Sequence, residues 1–177
     1  MKIWNLVSNA LIGWRMILRG EAGWRAHFSL NAAGLLSALV IFFFAAFLAI
    51  AMASIVSAMP DFYGVLDLLL VHGIWVLSFW ATIKATQMAI KDETRTLDLL
   101  VPGIYLLVGY LVVGSLLNLV FAPLVQLLTI LLGWPIYRLA RAATGWNLGI
   151  AAAFAAATVL LLVVVPQALY MLSSVPV

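Results

Sequence analysis

Between Leu99 and Tyr137 the chain carries no charged residue. Wound as a single α-helix at about 1.5 Å per residue, this stretch would reach nearly 60 Å, about twice the hydrocarbon core of a bilayer. It must therefore fold back on itself. Asn118 and Pro123 are the natural place for the reversal, because proline cannot donate a helical hydrogen bond and restricts the residue before it. The reading is one span over 99–119 and another over 122–140, the second short or kinked at Pro135. Only 8% of the residues are charged and 67% are hydrophobic, against roughly 25% charged in ordinary soluble domains. A soluble chain of this length could not hide so much apolar surface in one core, so the composition predicts an all-α, polytopic helical membrane protein.

Three further spans follow from the same reasoning. Residues 34–58 are uncharged and long enough to cross; Met59, Pro60 and Asp61 form a turn; 62–83 is the next span; and 148–172 is the last. The expected organisation is an N-terminal segment over 1–30 and a five-span bundle over 31–177. Within the first segment, Lys2, Asn5, Ser8, Asn9, Arg15 and Arg19 fall within an arc of roughly 140° when plotted at about 100° per residue. Trp, Leu and Ile side chains fill the remainder. A helix with such faces is expected to lie in the plane of the membrane interface, with Arg15, Arg19 and Arg25 on lipid headgroups; packing on a soluble partner is the alternative. The polar residues of this helix also interrupt any signal-peptide core, so no cleavable leader is expected.

Charge tests the topology. With the N-terminus in the cytosol, all nine lysines and arginines fall on the cytosolic side, as the positive-inside bias requires. A single crossing over 99–137 would place Arg138 and Arg141 outside. The basic balance, +3 at neutral pH, therefore reads as a topology signal, and nucleic acid is not expected as a partner. Trp4, Trp14, Trp24, Trp134 and Trp146 fall at expected interfaces, where tryptophan is favoured. Lys91 to Arg95 reads as a solvated connection.

Small residues recur every four positions at Ala45, Ala49, Ala53 and Ser57, and again at Gly149, Ala153 and Ala157. Such stripes let helix backbones approach in lipid, so the first and last spans are expected to pack on each other or on a neighbouring subunit. Chance is the competing explanation in alanine-rich spans, as Ala151 and Ala155 illustrate.

An aspartate and a histidine, Asp67 and His72, stand within the second span. Such residues are expensive in hydrocarbon and point to function by default, although a neutral histidine bonded to a tyrosine or carbonyl is a sufficient structural account. About 140° apart on a helix, they need different partners; Tyr105, Tyr110 and Asn118 are the leading candidates, with Ser115, Gln126, Thr129, Thr158 and Gln167 behind them. A proton relay would use Asp67, His72 and then Lys84 or Asp98. Haem or chlorophyll could be ligated by His72, with Trp75, Phe79 and Trp80 as packing, although the only other histidine, His27, lies near the opposite interface. Zinc fails on ligand count, the chain contains no cysteine, and no nucleophile motif or phosphate loop is present. No catalytic residue, metal or cofactor is therefore expected.

The amphipathic start followed by five closely spaced spans resembles small polytopic bacterial inner-membrane proteins and, more loosely, the five-span Yip1-like proteins. The resemblance is one of layout and transfers no site residue. It implies membrane organisation or trafficking rather than catalysis. The expected function is thus a non-enzymatic accessory or structural subunit, contacting lipid and associating with other membrane subunits or with itself. A small transporter or proton conductor built on Asp67 and His72 is the alternative.

Overall fold

The computed structural model describes residues 3–55 and 60–173, without the side chains of residues 170, 172 and 173. Among the described residues seven helices follow in order, α1 (Ile3–Arg19), α2 (Ala32–Ala53), α3 (Phe62–Ile90), α4 (Thr96–Phe121), α5 (Pro123–Leu131), α6 (Gly133–Thr144) and α7 (Leu148–Ser173), with a 3-10 turn at Trp24–His27. The fold is all-α. Five helical stretches are long and apolar enough to cross a membrane: α2, α3, α4, α5 with α6, and α7. The first of these starts two residues before the expected 34, and α3 runs well past 83. Ser57, Met59 and the expected end of span one at 58 lie outside the described residues, as does Lys2.

Local chemistry sets the helix boundaries. Asn31, Asp61 and Asn147 each cap the helix that follows, their side-chain oxygens accepting from the backbone N–H three residues on at 2.8 to 2.9 Å, which satisfies a donor the first turn would leave unpaired. At the end of α1, Gly20 takes a positive φ of 76°. Gly20 N–H bonds Ile17 O and Glu21 N–H bonds Met16 O, the paired closure typical of a glycine-terminated helix. The reversal near Asn118 and Pro123 occurs between α4 and α5, where Tyr110 Oη and Thr129 Oγ1 meet across the hairpin at 2.7 Å. Pro135 has no N–H to offer the carbonyl four residues back, and the fourth span breaks at Leu132 into α5 and α6.

The core joins residues from nearly every element. Phe79 of α3 packs against Phe154 of α7 with ring centroids 6.1 Å apart, and Gly103 of α4 approaches the same ring so closely that a Cβ there would overlap it. The helix α2 packs mainly on α4, while α7 packs on α3 and α6. Among the described residues α2 and α7 make no substantial contact, so the two small-residue stripes do not meet within one chain. On α2, Ala45 is buried, Ala49 half-buried and Ala53 exposed. On α7 the inward small residues are Ala151 and Ala155, and Gly149, Ala153 and Ala157 face outward.

The amphipathic α1 is docked on the bundle against α4 and α6. Ala10, Gly13, Trp14 and Ile17 are buried, and Trp14 Nε1 donates to Pro102 O at 3.0 Å. Leu11 and Leu18 stay exposed, so the apolar arc is shared between a protein-facing strip and a free one. Three tryptophans read as interfacial anchors, Trp14, Trp24 and Trp146, are instead buried; only Trp4 and Trp134 remain on the surface as expected.

Candidate functional site

The three basic regions of the sequence meet at one end of the bundle. Arg25 Nε pairs with Asp98 Oδ2 at 3.0 Å, and Arg25 Nη2 donates to Ala143 O at 2.6 Å, so a carbonyl at the end of α6 is satisfied by a cation where the helix dipole favours one. Arg25 is therefore an intramolecular strut at the surface, with half of its side chain in solvent; Arg15 and Arg19 are likewise exposed on α1, and Arg19 stands 3.7 Å from Glu21. The 91–95 connection is not simply solvated. Asp92 accepts from Thr94 N–H, from Thr94 Oγ1–H and, at 2.7 Å, from Trp146 Nε1–H, while Gln87 donates to Thr94 O and accepts from Thr96. Desolvation pushes the Asp92 carboxyl upward, but these hydrogen bonds outweigh it and hold its pKa below the ordinary 3.8.

Midway along α3, His72 reaches a carbonyl of its own helix, with Nδ1 2.6 Å from Leu68 O. A carbonyl can only accept, so the proton sits on Nδ1 and the neutral ring presents Nε2 as an acceptor. His72 lines a cavity of about 180 Å³ with Trp75, Tyr110, Ser115 and Asn118, and a second of about 410 Å³ between α2 and α3 with Ala49, Ala53 and Pro60. Its ring lies 5.0 Å from that of Trp75, which in turn lies 5.5 Å from that of Tyr110. The Trp75 indole nitrogen is buried without a hydrogen-bond partner.

The donors and acceptors of the smaller cavity can be assigned. Thr129 gives its hydroxyl proton to Val125 O at 2.8 Å, so Tyr110 donates to Thr129. Ser115 gives its proton to Leu111 O, leaving oxygen lone pairs. Around His72 there remain the amide of Asn118 and acceptors on His72 and Ser115, while the unpaired Trp75 N–H has no exposed surface. This set suits water or a small solute able both to accept and to donate.

Of the five expected polar residues, the structure thus brings together His72, Tyr110 and Asn118. Tyr105 lies elsewhere, in an apolar cavity of about 360 Å³ with Leu11, Trp14 and Trp134 and 6.0 Å from the Phe28 ring. Asp67 does not face the His72 cavities. It is exposed on the outward side of α3 with Tyr63, Leu66 and Leu70, and makes no hydrogen bond or ion pair with the described residues. The relay drawn through Asp67, His72 and then Lys84 or Asp98 does not align at its first step, because Asp67 points away, and on its Asp98 branch the carboxylate is held by Arg25. His27 sits in the 3-10 turn at the basic end, remote in sequence and position from His72. Among the described residues, no three His, Cys, Asp or Glu side chains gather to hold a metal.

Trp75, expected only as packing for a pigment, stands three residues after His72, a spacing that puts both on one helical face. That spacing was the available signal. No family model, curated protein or solved structure matches this chain, so the resemblance to the Yip1-like proteins gains no support beyond layout, and the fold stands as that of a polytopic, helical, membrane-spanning protein.

Proposed function

We propose that this is a non-enzymatic integral protein of a bacterial inner membrane, acting by lateral association as an accessory or structural subunit of a larger complex or with its own copies. Its basic end and N-terminus face the cytosol and its C-terminus faces the periplasm. Asp67 carries this reading. Five residues into α3, it lies about 8 Å from the helix end, on a face that is otherwise apolar and exposed. Its side chain is too short to snorkel as lysine does, and a carboxylate on such a face is costly without a partner. A neighbouring helix offering a cation or donor would supply one, and the outward Gly149, Ala153 and Ala157 would let a backbone approach α7.

Photo-crosslinking from Leu66 and Leu70 in native membranes tests the proposal. A protein adduct that weakens in Asp67→Leu supports it; adducts with lipid alone at both positions, together with a solitary monomer after mild extraction, defeat it.

The amide of Asn118 and the open acceptors of His72 and Ser115 favour a second reading, in which the cavity they line passes a proton or small solute. Dye-quench measurements on proteoliposomes decide it: flux above empty vesicles that falls in His72→Phe supports conduction, and flux equal to that of empty vesicles removes it.

A further inference from the structure

The junction of α1 and α6 encloses a cavity of about 420 Å³ lined by Arg25, Arg138 and Arg141, the Gly20–Gly23 turn, Trp24 and a single carboxylate, Glu21. Arg25 is matched by Asp98 at 3.0 Å and Glu21 stands 3.7 Å from Arg19, so Arg138 and Arg141 leave the cavity with an excess of positive charge. The donor inventory sharpens the imbalance. Arg25 spends Nε and Nη2 on Asp98 and Ala143 O. Arg141 spends only Nη1, on Trp146 O at 2.8 Å. Arg138 has a single long contact, Nη2 to Ile17 O at 3.4 Å, and its Nε is buried with no partner. Its guanidinium also lies 5.9 Å from the ring of exposed Trp134. Arginine offers five N–H donors in a planar fork, so Arg138 and Arg141 hold most of theirs in reserve.

A partly buried guanidinium with an unpaired nitrogen is costly, and no residue of the cavity compensates Arg138. An anion against its outward nitrogens would. The cavity lies at the end of the bundle that carries the arginines, beside a surface tryptophan of the kind found at headgroup depth. Its shape and charge suit a tetrahedral oxyanion read by two forks. We propose that this cavity binds a phosphate group, with Arg138 and Arg141 as the ligating pair and Arg25 as the strut that fixes α6 against the turn. The phosphate is either the phosphodiester of an anionic lipid, as basic pockets between helices accept, or a free phosphate from solution. The site is independent of the lateral-association reading, which rests on α3.

Native mass spectrometry and thermal melting of the whole protein in neutral detergent test it. The probes are short-chain phosphatidylglycerol, phosphatidylcholine of the same chain length, and inorganic phosphate. Phosphatidylglycerol is expected to bind and to raise the melting temperature, with Arg138→Gln and Arg141→Gln each weakening binding about tenfold, the worth of one charge-assisted hydrogen bond. Equal stabilisation by inorganic phosphate assigns a free-phosphate site; stabilisation by the lipid alone assigns a headgroup site. Arg15→Gln removes one exposed charge from α1 outside the cavity and is expected to leave binding unchanged. Should Arg138→Gln fail to fold, Arg141→Gln and the phosphatidylglycerol preference of the unmodified protein still decide. No preference for phosphatidylglycerol over phosphatidylcholine together with no effect of inorganic phosphate overturns the site, and so does an Arg15 variant losing as much as the Arg141 variant.

Discussion

Replacing Gly103 by alanine and, separately, Gly109 by alanine applies one chemical change at two places on α4 and should give opposite signs. Both substitutions gain about 1 kcal/mol of helix propensity. At Gly109 nothing lies within 4 Å of the new methyl, so the gain stands and the protein is expected to hold or slightly raise its stability. At Gly103 the methyl would overlap the Phe79 ring. That ring is 1% exposed, is not the free end of a flexible chain, and has Phe154 of α7 beside it. Inserting a methyl into such a site costs about 1–3 kcal/mol, so overpacking is expected to exceed the propensity gain by up to about 2 kcal/mol. At about 2–4 °C per kcal/mol for a chain of this size, Gly103→Ala should melt up to about 8 °C lower. Combining it with Phe79→Leu should recover part of the loss, with a coupling of at least about 0.5 kcal/mol. Thermal melting in one mild detergent, read by tryptophan fluorescence and by circular dichroism, measures the unmodified protein, the three single variants and the double variant. If Gly103→Ala melts with or above Gly109→Ala, or if the Gly103 and Phe79 losses simply add, the packing of α3, α4 and α7 described here is wrong.

Trp14→Phe keeps an aromatic ring but removes the donor to Pro102 O together with part of the buried indole; at least about 1 kcal/mol should be lost, and hydrogen exchange in α1 should quicken more than in α4. Arg25→Gln and Asp98→Asn should each lower the melting temperature, with a double-mutant coupling of about 0.5–1 kcal/mol, because half of the Arg25 side chain stays in solvent. Acid should weaken the Asp92 clasp. A carboxyl whose folded pKa lies below its ordinary 3.8 contributes stability that is fully present above that value and is lost as pH falls through the folded one. Melting of the unmodified protein from pH 6 to pH 3 should therefore drop further than that of Asp92→Asn, and parallel curves would remove Asp92 from the account.

The spans were legible because their signal is uniform. A run without charge from Leu99 to Tyr137 admits few solutions in lipid, and the proline that ends one helix and the proline that breaks another are both local signals. Side-chain partnership was not legible in the same way. Arg25 and Asp98 are far apart in the chain, as are Trp146 and Asp92, and nothing in their neighbours distinguishes a headgroup contact from an intramolecular strut. Whether the small-residue stripes of α2 and α7 meet each other within one chain was not legible for a related reason. Ala151 and Ala155 have the same spacing as Gly149 and Ala153, and only tertiary placement decides which pair faces in; the bulk of Phe154, buried between them, reports that phase better than the small residues do. Asp67 and His72 read as one problem because both ionise, yet the helix turn between them sends one toward a cavity and the other away.

The two ends of the bundle therefore do different physical work. At the basic end the 3-10 turn, the 91–98 segment and the end of α6 are tied by charge-assisted bonds through Arg25 and Asp92, interactions that a membrane interface, less polar than water, strengthens relative to bulk solvent. Toward the other end α3 diverges far enough from α2 to leave a cavity beside His72, and its outward face carries an unpartnered carboxylate. A bundle fixed at one end and open at the other can accept a neighbouring helix at the open end without disturbing the fixed one. Binding at Asp67 should accordingly slow hydrogen exchange in the first turns of α3 and leave the Arg25 and Asp92 contacts unchanged. Equal protection at both ends on association would show that the bundle responds as one rigid unit.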